Sequence, residues 1–179
     1  MTSRMTRGFT GVANRRTSGF VHWNTFAGWL METRLPPDFR EFLALLNSEK
    51  VEYLLVGGYA VSYYGYPRPT GDLDIWIAVD AANIQRALAV LAKFGFSGAG
   101  VTAELFQTPG RVVRMGVPPV RIEVINRISG VEFAECYARR VSVMIDGVPV
   151  QIIGRDDLIA NKRAAGREKD LNDVKQLEQ

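Results

Sequence analysis

In the run Asp72-Leu-Asp74-Ile-Trp-Ile-Ala-Val79, an apolar, strand-forming stretch begins with two carboxylates spaced two residues apart. Successive side chains of a strand point to opposite faces, so Asp72 and Asp74 share one face while Leu73, Ile75 and Ile77 turn the other way into a core. Their Cα atoms then lie about 6.5 to 7 Å apart, and like charges that close are costly unless a cation stands between them. Thirteen residues separate Asp72 from Gly57-Gly58, a pair that closes a second apolar run, Val51-Glu-Tyr-Leu-Leu-Val56. Together these runs predict a buried strand ending in a tight turn, a short helix over about 59–65, a loop at Pro67-Arg-Pro-Thr-Gly71 and a strand over 73–79.

The remaining elements follow from spacing and punctuation. Pro37 and Asp38 open a helix over 37–48, in which Phe39, Phe42, Leu43, Leu45 and Leu46 recur at helical intervals. Asp80 caps a helix over 81–94 that Gly95 ends. Beyond residue 100 shorter strands are expected at 102–107, 111–115, 120–126, 141–145 and 148–153, a meander with turns such as Asp146-Gly147. Helices over 155–165 and 168–177, parted by Gly166, close the chain. The order predicts an α+β (mixed α/β) domain over 34–179, a small mixed sheet flanked by helices with a helical tail. Residues 1–33 read as a flexible or loosely docked arm, although Trp23, Phe26, Ala27 and Leu30 also have the spacing of a short helix. Met31 is a plausible alternative start, which would leave the arm outside the domain proper.

Composition narrows the chemistry. With 179 residues, 47% hydrophobic and 23% charged, the chain can bury a real core and is neither disordered nor collagen-like. The net charge of +3 is unevenly placed, because Arg4, Arg7, Arg15, Arg16 and Arg34 face Glu32 alone in the first 35 residues. The body beyond is slightly acidic, which argues against a nucleic-acid groove there. Cys136 and His22 are the only cysteine and histidine, excluding disulfide scaffolds, Cys/His zinc sites and a core dyad built on His. No apolar run approaches the ~20 residues of a membrane span, and the basic N-terminus lacks a secretory apolar stretch, so a cytoplasmic protein without membrane contact is expected.

Chemistry must therefore run on carboxylates, Lys, Arg, Ser, Thr or Tyr. Hard oxygen ligands suit Mg²⁺ or Mn²⁺, ions that bridge the oxygens of a nucleoside triphosphate. Gly57 and Gly58 would let backbone approach the phosphates at a helix N-terminus. A third carboxylate is needed if a metal pair is to activate a nucleophile, and the alternation of Val120-Arg-Ile-Glu123-Val-Ile makes Glu123 the candidate, with Glu104 in reserve. Arg68 and Thr70 either clamp phosphate or only shape the loop around two prolines. Trp76 and Tyr59 either stack on a base or pack in the core. Cys136 reads as an ordinary helix residue.

These residues carry a resemblance. Gly-Gly, a short helix, then Arg68-x-Thr70-x-Asp72-x-Asp74 on an apolar strand resembles the nucleotidyltransferase superfamily of the DNA polymerase beta type. The form Gly65-Tyr-Pro-Arg68 before Thr70-Gly-Asp72-Leu-Asp74 is most similar to small bacterial nucleotidyltransferases related to the abortive-infection AbiEii toxins and to minimal nucleotidyltransferases of toxin–antitoxin operons. Aminoglycoside and lincosamide nucleotidyltransferases are more distantly similar. A second stretch, Asp157 to Asp173, is similar to the Leu-x-x-x-Lys and Arg-x-Lys-Asp pattern that closes these families.

The resemblance implies that Asp72 and Asp74 bind Mg²⁺, that Gly57 and Gly58 hold the triphosphate, and that Lys162, with Asp170, contacts nucleotide or stabilises the site. It implies a metal-dependent transfer of an NMP group from an NTP to a protein, tRNA or small molecule, with a cognate antitoxin or toxin as partner. The acceptor-binding domain of larger relatives has no counterpart here, so the acceptor is not inherited. A nucleotide- or partner-binding module without turnover, an antibiotic-modifying enzyme, and an arm acting as a basic tether are the other readings.

Overall fold

The structure, a computed structural model, describes residues 35–97, 100–117 and 119–179. The expectations for residues 1–33 lie outside them. Helix α1, Pro37–Ser48, opens with proline in its first turn and buries Phe39, Phe42, Leu43 and Leu46, one stripe at i, i+3, i+4 and i+7. Full burial of each such side chain contributes about 1.5 to 3 kcal/mol.

Strand β1 is Tyr53–Leu55, helix α2 is Gly57–Tyr63 and strand β2 is Asp72–Ile77. The glycine pair thus lies inside the first turn of the helix, where a tight turn ahead of it was expected. Helix α3, Ala81–Leu91, is capped by Asp80, whose carboxylate accepts from the Asn83 amide at 2.9 Å. It runs on into a π-helical turn, Ala92–Phe96, that ends where Gly95 takes a positive φ.

Two expectations fail beyond residue 100. Ala103–Gln107 is a helix, α4, and not a strand; its Ala, Glu, Leu and Gln are good helix formers without β-branching, and Phe106 alone is buried. The following strands, β3 (Val112–Val117), β4 (Val120–Ile125), β5 (Val141–Ile145) and β6 (Val148–Ile152), do not form a meander. Helix α5, Phe133–Ala138, parts them into two hairpins that join opposite edges of one six-stranded sheet, ordered β3-β4-β2-β1-β6-β5. Spacing along the chain showed each hairpin but not which edge it would join. Parallel pairings, β2 with β4 and β1 with β6, make the sheet mixed.

Leu73, Ile75, Met115, Ile122 and Val124 all belong to the core, with Leu73 and Ile75 register partners of Ile122 and Val124. On the opposite face Trp76 is buried and its ring meets Phe133 of α5 edge-on at 5.1 Å, while Tyr59 meets Phe39 of α1 in the same manner. Both rings therefore serve packing. Helices α6 (Arg155–Ala165) and α7 (Glu168–Leu177) are separated by Gly166 in the left-handed conformation. No helix among the described residues is long and apolar enough to cross a membrane.

Candidate active site

Sheet register assembles the charged residues. In the parallel pairing of β2 with β4, Asp72 stands beside Arg121 and Asp74 beside Glu123. In the hairpin of β3 with β4, Arg114 stands beside Glu123. Alternation then puts all five side chains on one face of three adjacent strands, the face opposite to Leu73 and Ile122. They line a cavity of about 420 Å³ together with Gly57, Gly58, Arg68, Thr70, Lys162, Arg167 and Lys169.

The carboxylate at its centre is Asp74. Burial first, then the negative charges of Glu123 and Asp72, push its carboxyl up to about 6, against the pull of Lys162 and a hydrogen bond from the Gly58 amide. The glycines are fixed by this close approach. A Cβ on Gly57 would lie 1.9 Å from Asp74 Oδ2, and one on Gly58 2.6 Å from Thr70 Oγ1. Gly57 also has φ +64°, a conformation that L side chains rarely adopt. The backbone at the start of α2 is thus pressed against the carboxylate, with the Gly58 amide aimed at Asp74.

Helices α6 and α7 close the other wall. Val174 and Leu177 fix the buried stripe of α7, and the two positions one turn earlier on that stripe are Asp170 and Asp173, 0% and 1% exposed. Lys162 of α6, 4% exposed, reaches Asp170 Oδ1 at 2.8 Å and Asp173 Oδ2 at 3.0 Å. Arg68 donates to both Asp173 oxygens, at 3.0 and 3.1 Å, and Arg167 pairs with Asp170. Burial alone would raise the Asp170 carboxyl, but hydrogen bonds from Arg167 and Lys162 hold it below the usual range. Lys162 is therefore the hub of a buried ionic network. Arg68 does more than shape its loop: Asp173 fixes it on the cavity wall.

The structure brings together Asp72, Asp74, Glu123, Gly57, Gly58, Arg68, Thr70 and Lys162, and leaves out Glu104, which is exposed on α4. Sequence reasoning passed over Arg114 and Arg121, although the alternation that marked Glu123 marks Arg121, two residues earlier, equally well. The donor set suits a hard divalent cation, because it is all carboxylate oxygen on neighbouring strand positions. Among the described residues no three such side chains are closed around one point, and Arg121 stands between two of them.

A mixed sheet carrying an Asp-x-Asp strand beside a Gly-Gly helix start defines the domain as nucleotidyltransferase-like. The chain belongs to the family described as "Nucleotidyl transferase of unknown function (DUF2204)", whose model matches residues 37–179. No curated protein sequence matches it. Solved structures similar to it include the antibiotic-resistance factor ANT(2'')-Ia, at 13% identity over 78% of this chain and 80% of that one, TM-score 0.49. Lincomycin-bound LnuA, a lincosamide antibiotic adenylyltransferase, is 14% identical over 80% and 96%, TM-score 0.49. An antigenic nucleotidyltransferase-like protein from Paracoccidioides brasiliensis is 21% identical over 81% and 78%, TM-score 0.42.

Proposed function

We propose that the protein is a metal-dependent nucleotidyltransferase that moves an NMP group from a nucleoside triphosphate to an acceptor hydroxyl. The observation that carries this reading is the placement of Asp72, Asp74 and Glu123 on neighbouring positions of two parallel strands, in a cavity whose remaining charged wall is cationic. Asp72, Asp74 and Glu123 would hold Mg²⁺ or Mn²⁺. Bound there, the metal would supply charge stabilisation at the attacking and leaving oxygens.

The chain's own residues do the rest. Arg68, anchored by Asp173, presents a fixed guanidinium to the triphosphate, and Arg167 and Lys169 add positive charge on the same wall. Gly57 and Gly58 keep the start of α2 free of side chains, so that Asp74 can approach it at Gly57 and Thr70 at Gly58. Glu123 orients the acceptor hydroxyl or takes its proton. The acceptor oxygen forms a bond to the α-phosphorus, the bond from that phosphorus to the bridging oxygen breaks, and pyrophosphate leaves. A toxin–antitoxin or phage-defence setting, with protein, tRNA or small-molecule acceptor, extends the proposal through the motif resemblance.

The test is thermal shift with ATP, GTP, CTP and UTP, with and without Mg²⁺, for wild type and Asp72→Asn/Asp74→Asn. A metal-dependent rise in melting temperature that the double variant loses supports the reading, and transfer of α-labelled NTP then identifies the acceptor. A folded protein that no nucleotide shifts would sink it.

A further inference from the structure

The cation standing among the carboxylates is one the protein supplies itself. Arg121 Nη2 lies 2.7 Å from Asp72 Oδ2 and 3.1 Å from Glu123 Oε1, so one nitrogen serves two of the three carboxylates. Arg114, from the neighbouring strand, takes the same Glu123 oxygen at 3.0 Å. The Arg121 Nε–H, by contrast, is buried with no acceptor among the described residues. A guanidinium has five N–H donors in a rigid fork and gains most when they are met in pairs. With one nitrogen between two carboxylates and the Nε–H unmet, the fork lacks the paired contacts that fix a guanidinium, so its hold depends on the Asp72 hydrogen bond and the two negative charges. Take the negative charge away, and the hold goes with it.

We propose that Arg121 is an exchangeable counter-cation. It neutralises Asp72 and Glu123 in the free protein, yields both oxygens to an arriving divalent cation, and turns its guanidinium to the phosphates of the nucleotide in the same cavity. The proposal rests on the reading of Asp72, Asp74 and Glu123 as metal ligands. A divalent cation on the same carboxylates would stand close to the guanidinium, and the repulsion between the two positive charges favours release of the Arg121 contacts as metal enters. The affinity of the free protein for metal is lowered by the fraction of molecules in which Arg121 is in place. The released fork stays on the cavity wall, where its geometry matches phosphate oxygens. Metal and polyphosphate therefore favour each other's binding, each stabilising the arrangement that the other needs.

The experiment compares full-length wild type with Arg121→Gln. Mn²⁺ is titrated without nucleotide, with unbound Mn²⁺ followed by electron paramagnetic resonance, and magnesium tripolyphosphate is titrated separately by calorimetry. The variant is expected to bind Mn²⁺ several-fold more tightly than wild type and magnesium tripolyphosphate several-fold more weakly. Equal or weaker Mn²⁺ binding by the variant, with wild type binding normally, overturns the exchange and leaves the metal reading intact. Tighter Mn²⁺ binding with unchanged tripolyphosphate binding overturns the phosphate role. Folded proteins that both ignore Mn²⁺ overturn the metal reading and the proposal with it. A measurement on wild type alone guards against a variant that does not fold: the arginine Nε–H resonance of Arg121 in a nitrogen-15 spectrum should move on addition of Mg²⁺, and a stationary signal with bound metal refutes the exchange.

Discussion

Asp74 and Glu123, far apart in the chain, are register partners on parallel strands, and the charge of Glu123 adds to burial in raising the Asp74 carboxyl. Replacing either should abolish chemistry while sparing the fold. Asp74→Asn and Glu123→Gln are expected to lower NMP transfer by on the order of 10²- to 10³-fold or more, the scale for losing one preorganised electrostatic group. Near-wild-type turnover in either variant would remove that residue from the reaction.

Burial of Asp74, with Glu123 beside it, sets a pH dependence in metal-free protein. Folding lifts Asp74 from 3.8 to about 6, so the folded state keeps a proton that the unfolded chain releases. Stability from this group is present below about pH 4 and lost as pH rises through about 6, a change of about 3 kcal/mol. In EDTA, the stability of Asp74→Asn relative to wild type should therefore grow between pH 4 and pH 7. A difference that stays flat across that range would show that Asp74 titrates normally.

Lys162 lies between two carboxylates that water does not reach. Lys162→Ala leaves Asp170 and Asp173 with Arg167 and Arg68 only, and is expected to cost about 3 kcal/mol in urea unfolding. A loss within about 0.5 kcal/mol, the range of ordinary surface substitutions, would refute the network as a structural element.

Gly57→Ala meets both a positive φ and the Asp74 carboxylate. The left-handed conformation alone costs about 1 to 2 kcal/mol. Nucleotide-induced stabilisation should fall further, because the new methyl group must displace Asp74. Unchanged melting and unchanged nucleotide shift would contradict the observed approach.

Cys136 is fully buried in α5, and burial pushes its thiol up to about 11. As the chain's only cysteine, it should resist aromatic disulfide reagents at pH 8 in the native state and react on unfolding. Rapid native labelling would mean that α5 opens readily.

The carboxylate strand was legible because alternation depends on neighbouring residues alone, which is why Asp72 and Asp74 could be paired without any knowledge of the sheet. Glu123 was reachable by the same rule, but its position beside Asp74 needed the β2–β4 pairing, which no local signal encodes. Arg121 was passed over because a search for metal ligands counts carboxylates and overlooks the cations among them. Asp170 was marked only by the resemblance, and Asp173 was not singled out. Val174 and Leu177 nevertheless fix the inward stripe of α7, and that stripe runs through both. Residues 103–107 were misassigned because a short segment with one buried side chain shows no period of either kind.

The Arg68–Asp173 contact joins residues 105 positions apart. During synthesis the sheet that bears Asp72, Asp74 and Glu123 can pair once β6 has emerged, whereas Arg68 waits for α7, which is made later. A nascent chain thus owns a nearly finished scaffold before the cavity wall that carries Arg68 is rigid. The order of manufacture delays the fixing of Arg68 until α7 has docked.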